Sequence, residues 1–179
     1  MTPKLFYIHG LGSDANSRKY LNLKEYFKEQ FRFDCLEWKN NSDISQLLDE
    51  AEKMLESEDK VILFGDSTGA NFACQLREKR KQKNLKTILI LSSPLLDESR
   101  RIADFPFPGQ LKVFLKKIEN PENTLIIVPL HDEVIDHSFL LKNNLSETKI
   151  LKVDDSHRLP KFKEYLPKIE SYIQAELQV

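Results

Sequence analysis

The chain has 179 residues, with 27 basic and 28 acidic side chains and a formal net charge of -1, enough length for one domain that buries its own core. That balance leaves no global field to draw in nucleic acid or an anionic membrane surface. Cys35 and Cys74 are too few for a disulfide framework, and Met1-Thr2-Pro3-Lys4 runs straight into an apolar segment, so no signal peptide or membrane span is expected. The chain reads as a soluble cytoplasmic protein whose reduced thiols act as small buried hydrophobes.

Short apolar runs recur along the chain at Leu5-Ile8, Phe33-Leu36, Val61-Phe64, Ile88-Leu91, Leu125-Val128 and Ile150-Val153, and each reads as a buried strand. Most intervals between them carry helical periodicity. Tyr20, Leu23, Phe27 and Phe31 form the stripe of a first helix. Ser42 to Glu56 predicts a second, with Ile44, Leu47, Leu48, Ala51, Met54 and Leu55 on one face and a capping-box pattern at Asp43 and Gln46. Ala70, Ala73, Cys74 and Leu76 mark a third, ending in the basic run Arg77-Glu78-Lys79-Arg80-Lys81, which reads as a solvated helix end. Phe162, Leu166, Ile169, Ile173 and Leu177 mark the last. Such alternation implies an α/β fold, a mostly parallel sheet with helices on both faces forming a three-layer sandwich, because parallel neighbours need crossover connections.

The interval between Leu91 and Leu125 breaks this rhythm. It holds a charged stretch from Asp97 to Ala103 that reads as helical, the turn-rich Phe105-Pro106-Phe107-Pro108-Gly109, and an amphipathic segment from Leu111 to Ile118. We read it as one crossover helix plus a short lid-like insertion around residues 95–118 within a single domain spanning 1–179.

Four of the five glycines sit in two turns, His9-Gly10-Leu11-Gly12-Ser13 and Gly65-Asp66-Ser67-Thr68-Gly69, each directly after an apolar strand pattern. The second reads Gly-x-Ser-x-Gly, a strand-to-helix turn that exposes a serine while Gly65 and Gly69 let the backbone pass closely. A serine hydroxyl needs a base and an orienting acid before it is a useful nucleophile. Of the four histidines, His9 sits in the first turn, His131 precedes an acid and His137 opens a helix pattern. His157, in the loop after the last strand, is best placed to reach Ser67, and Asp132, at the end of the fifth strand, is the candidate acid. Glu133 and Asp136 are alternative acids, and Asp154 and Asp155 are alternative ion-pair partners of His157. Without further ligands at helical spacing, His131-Asp132 carries no metal prediction.

On these residues, His9-Gly10, the Ser67 turn, Asp132-Glu133-Val134 and His157, the chain resembles the α/β-hydrolase superfamily, especially its small single-domain bacterial serine esterases. The resemblance runs over essentially the whole chain. It implies six strands in the order 2-1-3-4-5-6, a catalytic triad of Ser67, Asp132 and His157, and an oxyanion hole made by the backbone N–H groups of Leu11 and Thr68. It also implies a small carboxylic ester or thioester as substrate and no cofactor. His9, Phe105, Phe107 and Phe114 are candidates to line its pocket.

Two other readings compete. Gly10, Gly12 and Ala15 fit Gly-x-Gly-x-x-Gly/Ala, and Glu37 ends the second strand where an acid could hold a ribose hydroxyl, as in a dinucleotide-binding protein. A hydrolase-fold binding protein without turnover is the third reading, because fold does not dictate activity.

Overall fold

Each apolar run forms a strand longer than its hydrophobic stretch, because the ladder of backbone hydrogen bonds continues past the buried side chains. The strands are β1 (Lys4–Ile8), β2 (Arg32–Leu36), β3 (Val61–Asp66), β4 (Thr87–Ser92), β5 (Thr124–His131) and β6 (Thr148–Ser156). They come from a computed structural model, which describes residues 2–143, 145 and 147–178. All neighbouring strands pair in parallel in one sheet of order β2-β1-β3-β4-β5-β6. Between and after them lie α1 (Arg18–Phe27), α2 (Ile44–Leu55), α3 (Thr68–Gln82), α4 (Gly109–Lys112), α5 (Ser138–Lys142) and α6 (Leu166–Leu177).

Side chains alternate across a strand, so each central strand feeds two cores. Leu5, Tyr7, Ile62, Phe64, Ile88 and Ile90 pack with Leu23 and Phe27 of α1 and Ile169 and Ile173 of α6. Phe6, Ile8, Leu63, Leu89 and Leu91 pack with Leu48, Ala51 and Leu55 of α2 and Ala73 and Leu76 of α3. The helix starts follow the sequence closely. Ser17 Oγ accepts from Tyr20 N at the start of α1, and Asp43 Oδ1 from Gln46 N at the start of α2. The expected capping box is only half formed, since the Gln46 side chain bonds Glu50 instead of turning back. Phe31 lies beyond the end of α1, and Phe162 in a 3₁₀ turn (Phe162–Tyr165) ahead of α6, yet both are buried.

The segment between β4 and β5 differs most from expectation. Asp97 to Ala103 does not form a helix: only Glu98–Arg100 make a 3₁₀ turn, capped by Asp97, and Arg101 then pairs with Ile135 in an isolated bridge. Leu111 to Ile118 shrinks to the single turn of α4. Long-range bonds hold the rest: Asn71 Nδ2 donates to the carbonyls of Leu95 and Lys116, and Gln75 Nε2 to that of Phe114. Pro106 and Pro108 lie between the two segments rather than inside either, and the side-chain contacts from Asn71 and Gln75 satisfy backbone carbonyls where no internal ladder forms.

The basic run is likewise more than a solvated end. Arg80 is fully buried, and its guanidinium donates to Leu55 O at 2.6 Å, Glu58 O at 3.2 Å and Thr87 Oγ1 at 2.8 Å. It therefore ties the last carbonyl of α2 and the turn that follows it to the start of β4. Cys74 is buried but Cys35 only half-buried, and burial pushes both thiols up to about 12. No described helix is long and apolar enough to cross a membrane.

Candidate active site

In a parallel sheet all carboxyl ends lie on one edge, and four of them meet here: those of β1, β3, β5 and β6. At the end of β3, Ser67 is held at φ 51° and ψ -117°, a left-handed conformation that a non-glycine residue adopts only under constraint. The constraint is visible: Ser67 N donates to Ser92 O at 2.9 Å, and Ser67 O accepts from Ala70 N and Leu95 N at 3.0 Å each. Glycine is required on both sides. A β-carbon on Gly65 would stand 2.6 Å from Ala70 Cα, and one on Gly69 would overlap the carbonyl oxygens of Ile8 and His9.

Above this turn, His157 Nε2 lies 3.0 Å from Ser67 Oγ, and His157 Nδ1 lies 2.8 Å from Asp132 Oδ2 and 3.0 Å from Oδ1. An ionised Asp132 can only accept, so Nδ1 carries the proton and Nε2 is left as the acceptor for the serine hydroxyl. The imidazole loop is fixed from two directions. His157 N donates to Glu133 Oε2 at 3.1 Å, and Ser93 Oγ donates to His157 O at 2.8 Å.

The Asp132 side chain is 2% exposed. Its Oδ1 accepts from the backbone N–H groups of Val134 and Ile135, both at 2.8 Å, and its Oδ2 from His137 Nε2 at 2.8 Å. Burial opposes ionisation, but the bonds from His137, His157 and Ile135 outweigh it and hold the carboxyl well below its ordinary value. His137 does precede a helix, as its cap, but its ring serves Asp132, which the sequence reading missed. The signal available was a histidine five residues beyond the acid in the same strand-to-helix loop.

At the end of β1, His9 is buried and stacked on Trp38 with ring centroids 5.0 Å apart. Its Nε2 accepts from Trp38 N at 3.1 Å and its Nδ1 donates to Gly10 O at 2.8 Å; burial lowers its pKa, keeping it neutral. Gly10 O also accepts from Ser13 N at 3.2 Å. With that carbonyl held toward His9, the Leu11 N–H of the same trans peptide points the opposite way. Thr68 N–H lies in the first turn of α3, where no intrahelical acceptor exists.

No family model and no curated protein matches the chain. Solved structures do. A protein of Agrobacterium vitis described as a hydrolase superposes with a TM-score of 0.74 at 16% identity, over 96% of this chain and 88% of its own. A Xanthomonas campestris protein assigned to the alpha/beta hydrolase superfamily gives 0.68 at 17% identity, over 99% of both chains. YbtT, the type II thioesterase of the yersiniabactin pathway, gives 0.69 at 14% identity, over 98% of this chain and 94% of its own. The fold is that of the α/β-hydrolases.

Within this hydrolase fold the alternative acids have other duties. Glu133 binds the His157 backbone, and Asp136 caps Ser138. Asp154 pairs with His131 and Lys161, and Asp155 accepts from Tyr165 Oη and the Lys161 backbone. The dinucleotide pattern lacks its helix: α1 opens at Arg18, three residues beyond Ala15, so no helix amino terminus stands at Gly12 to receive a phosphate, and Glu37 is exposed.

The pocket candidates do not gather at one place. His9 is buried behind the first turn. Phe107 is in the core and Phe114 is packed against it, while Phe105 is 54% exposed beneath the Arg101 guanidinium. A cleft of about 90 Å³ is lined by Pro94, Leu96, Arg100, Ile135, His137 and Phe139 among others, and by neither Ser67 nor His157.

Proposed function

We propose that the protein is a serine hydrolase that cleaves small carboxylic esters or thioesters through an acyl-enzyme on Ser67. The observation that carries this reading is the continuous chain from Ser67 Oγ through His157 to a buried Asp132 with no free lone pair. Ser67 Oγ attacks the carbonyl carbon while His157 Nε2 takes its proton, and the tetrahedral oxyanion is held by the N–H groups of Leu11 and Thr68. Collapse breaks the bond to the leaving oxygen or sulfur, which receives that proton from His157. Water then attacks the acyl-enzyme by the same route and regenerates Ser67. Asp132 orients the imidazole and stabilises its cation throughout.

The type II thioesterase among the structural neighbours supports keeping thioesters in the substrate class. The shortness of the segment between β4 and β5 supports short acyl groups, because it can cover only a small cleft. Enclosing a methylene gains about 0.8 kcal/mol only while the pocket still surrounds it.

A fluorophosphonate probe should label Ser67 in the wild type and fail to label Ser67→Ala, as read by peptide mapping. Across p-nitrophenyl esters, kcat/KM should peak at roughly two to six acyl carbons. Labelling that survives Ser67→Ala would overturn the nucleophile, and a steady rise out to palmitoyl esters would overturn the short-acyl preference.

A further inference from the structure

Asp66, the residue before Ser67, holds its carboxylate against the Gly10 turn, which leads into the proposed oxyanion donor Leu11. Its Oδ2 lies 3.6 Å from where a β-carbon on Gly10 would stand, beside the peptide that bears the Leu11 N–H. Thr68 N–H is two residues along the chain. A bare carboxylate there would oppose the oxyanion, and at low local dielectric the opposition is strong.

The carboxylate is not bare. Lys19 reaches in from the first turn of α1 and its ammonium meets Asp66 Oδ1 at 2.5 Å, with the two side chains only 7% and 14% exposed. Ser92 Oγ donates to the same oxygen at 2.7 Å, so the buried Ser92 grips the turn twice, by this hydroxyl and by the carbonyl that accepts from Ser67 N. Tyr7, buried beneath, has its phenol pushed well above its ordinary value by burial and by the Asp66 charge, and so stays neutral. Among the described residues, Lys19 is the cation that ion-pairs with Asp66.

Building on the acyl-enzyme reading, we infer that Lys19 is an electrostatic positioning residue: it neutralises Asp66 so that the corner occupied by the Leu11 and Thr68 donors accepts developing negative charge. A lysine this deeply buried is uncommon unless paired, and loss of one partner strands the other charge. The two partners are therefore not equivalent. Losing Lys19 strands a negative charge beside the oxyanion; losing Asp66 strands a positive one.

The test measures the second-order rate of Ser67 phosphonylation by a fluorophosphonate, together with kcat and KM for p-nitrophenyl acetate, in wild type, Lys19→Met, Asp66→Asn and the double variant. Lys19→Met should slow phosphonylation about tenfold or more and lower kcat with KM nearly unchanged. Asp66→Asn should be no slower than wild type, and adding it to Lys19→Met should restore the rate to within about threefold. Circular dichroism and thermal melts identify folded variants. If Lys19→Met does not fold, Lys19→Gln, which keeps a donor toward Asp66 but removes the charge, takes its place and should show the same slowing and the same rescue by Asp66→Asn. Equal slowing by both single changes, no slowing by Lys19→Met, or no rescue in the double variant would overturn the inference while leaving the acyl-enzyme reading intact. No labelling of the wild type would overturn both.

Discussion

Asp132 is shared by two imidazoles, and the sharing gives His137 a measurable role. Its Nε2 and His157 Nδ1 both meet Asp132 Oδ2 at 2.8 Å in a site closed to water. Removing one donor leaves a buried acceptor underused, at about 1–3 kcal/mol, and frees the carboxylate to rotate away from His157. His137→Phe should therefore slow Ser67 phosphonylation roughly tenfold or more, whereas His137→Gln, whose amide can still donate, should recover most of the rate. Equal rates in the two variants would show that the ring acts by volume alone. The five-residue spacing of His137 from Asp132 was the one local hint of this role. Position in the chain pointed to His157, and only the loop's fold turned His137 inward.

At the scale of elements, α3 links site to scaffold. Its amino end carries Thr68 and follows the strained Ser67, while the last turn of this fifteen-residue helix carries Arg80 to the end of α2. Small residues Gly69, Ala70 and Ala73 let the helix start close to β1 and β3. Replacing Arg80 with leucine removes the donors to Leu55 O and Glu58 O, and breaking a buried charged contact of this kind costs about 3 kcal/mol or more. Arg80→Leu should lower the urea midpoint accordingly while the folded fraction keeps its fluorophosphonate labelling rate. A full loss of labelling in folded protein would mean that α3 transmits the change to Ser67. The periodicity of α3 was legible in the sequence, but the burial of one arginine within a basic run was not. Charge pattern carries no information about which carbonyls a neighbouring helix leaves open.

For the whole molecule, the site is also a term in stability. Asp132 sits below the ordinary carboxyl value of about 4. A depressed folded value means that the ionised group stabilises the native state fully above about pH 4, and that this contribution is lost as pH falls through the lower folded value. Asp132→Asn should then be less stable than wild type at pH 7, with the gap narrowing steadily below pH 4 in urea titrations. A gap that stays constant to pH 2 would assign the loss to shape rather than ionisation.

The sequence by itself determined the strands, the main helices and the two turns that present Ser67 and the Gly10 loop, because each is written in local terms: apolar runs, stripe spacing, caps and glycines. It also determined the chain order of Ser67, Asp132 and His157, and with parallel strands that order brings all three to one edge. What only the tertiary structure decided was every interaction between residues far apart in sequence whose local signals are silent. The 93–123 crossover is held by bonds from Asn71 and Gln75 in place of most of its expected helix. Lys19 and Asp66, 47 residues apart, became a buried pair because α1 lies over the end of β3. An amphipathic stripe reports how a segment meets the core; which polar groups meet each other depends on how the layers are stacked.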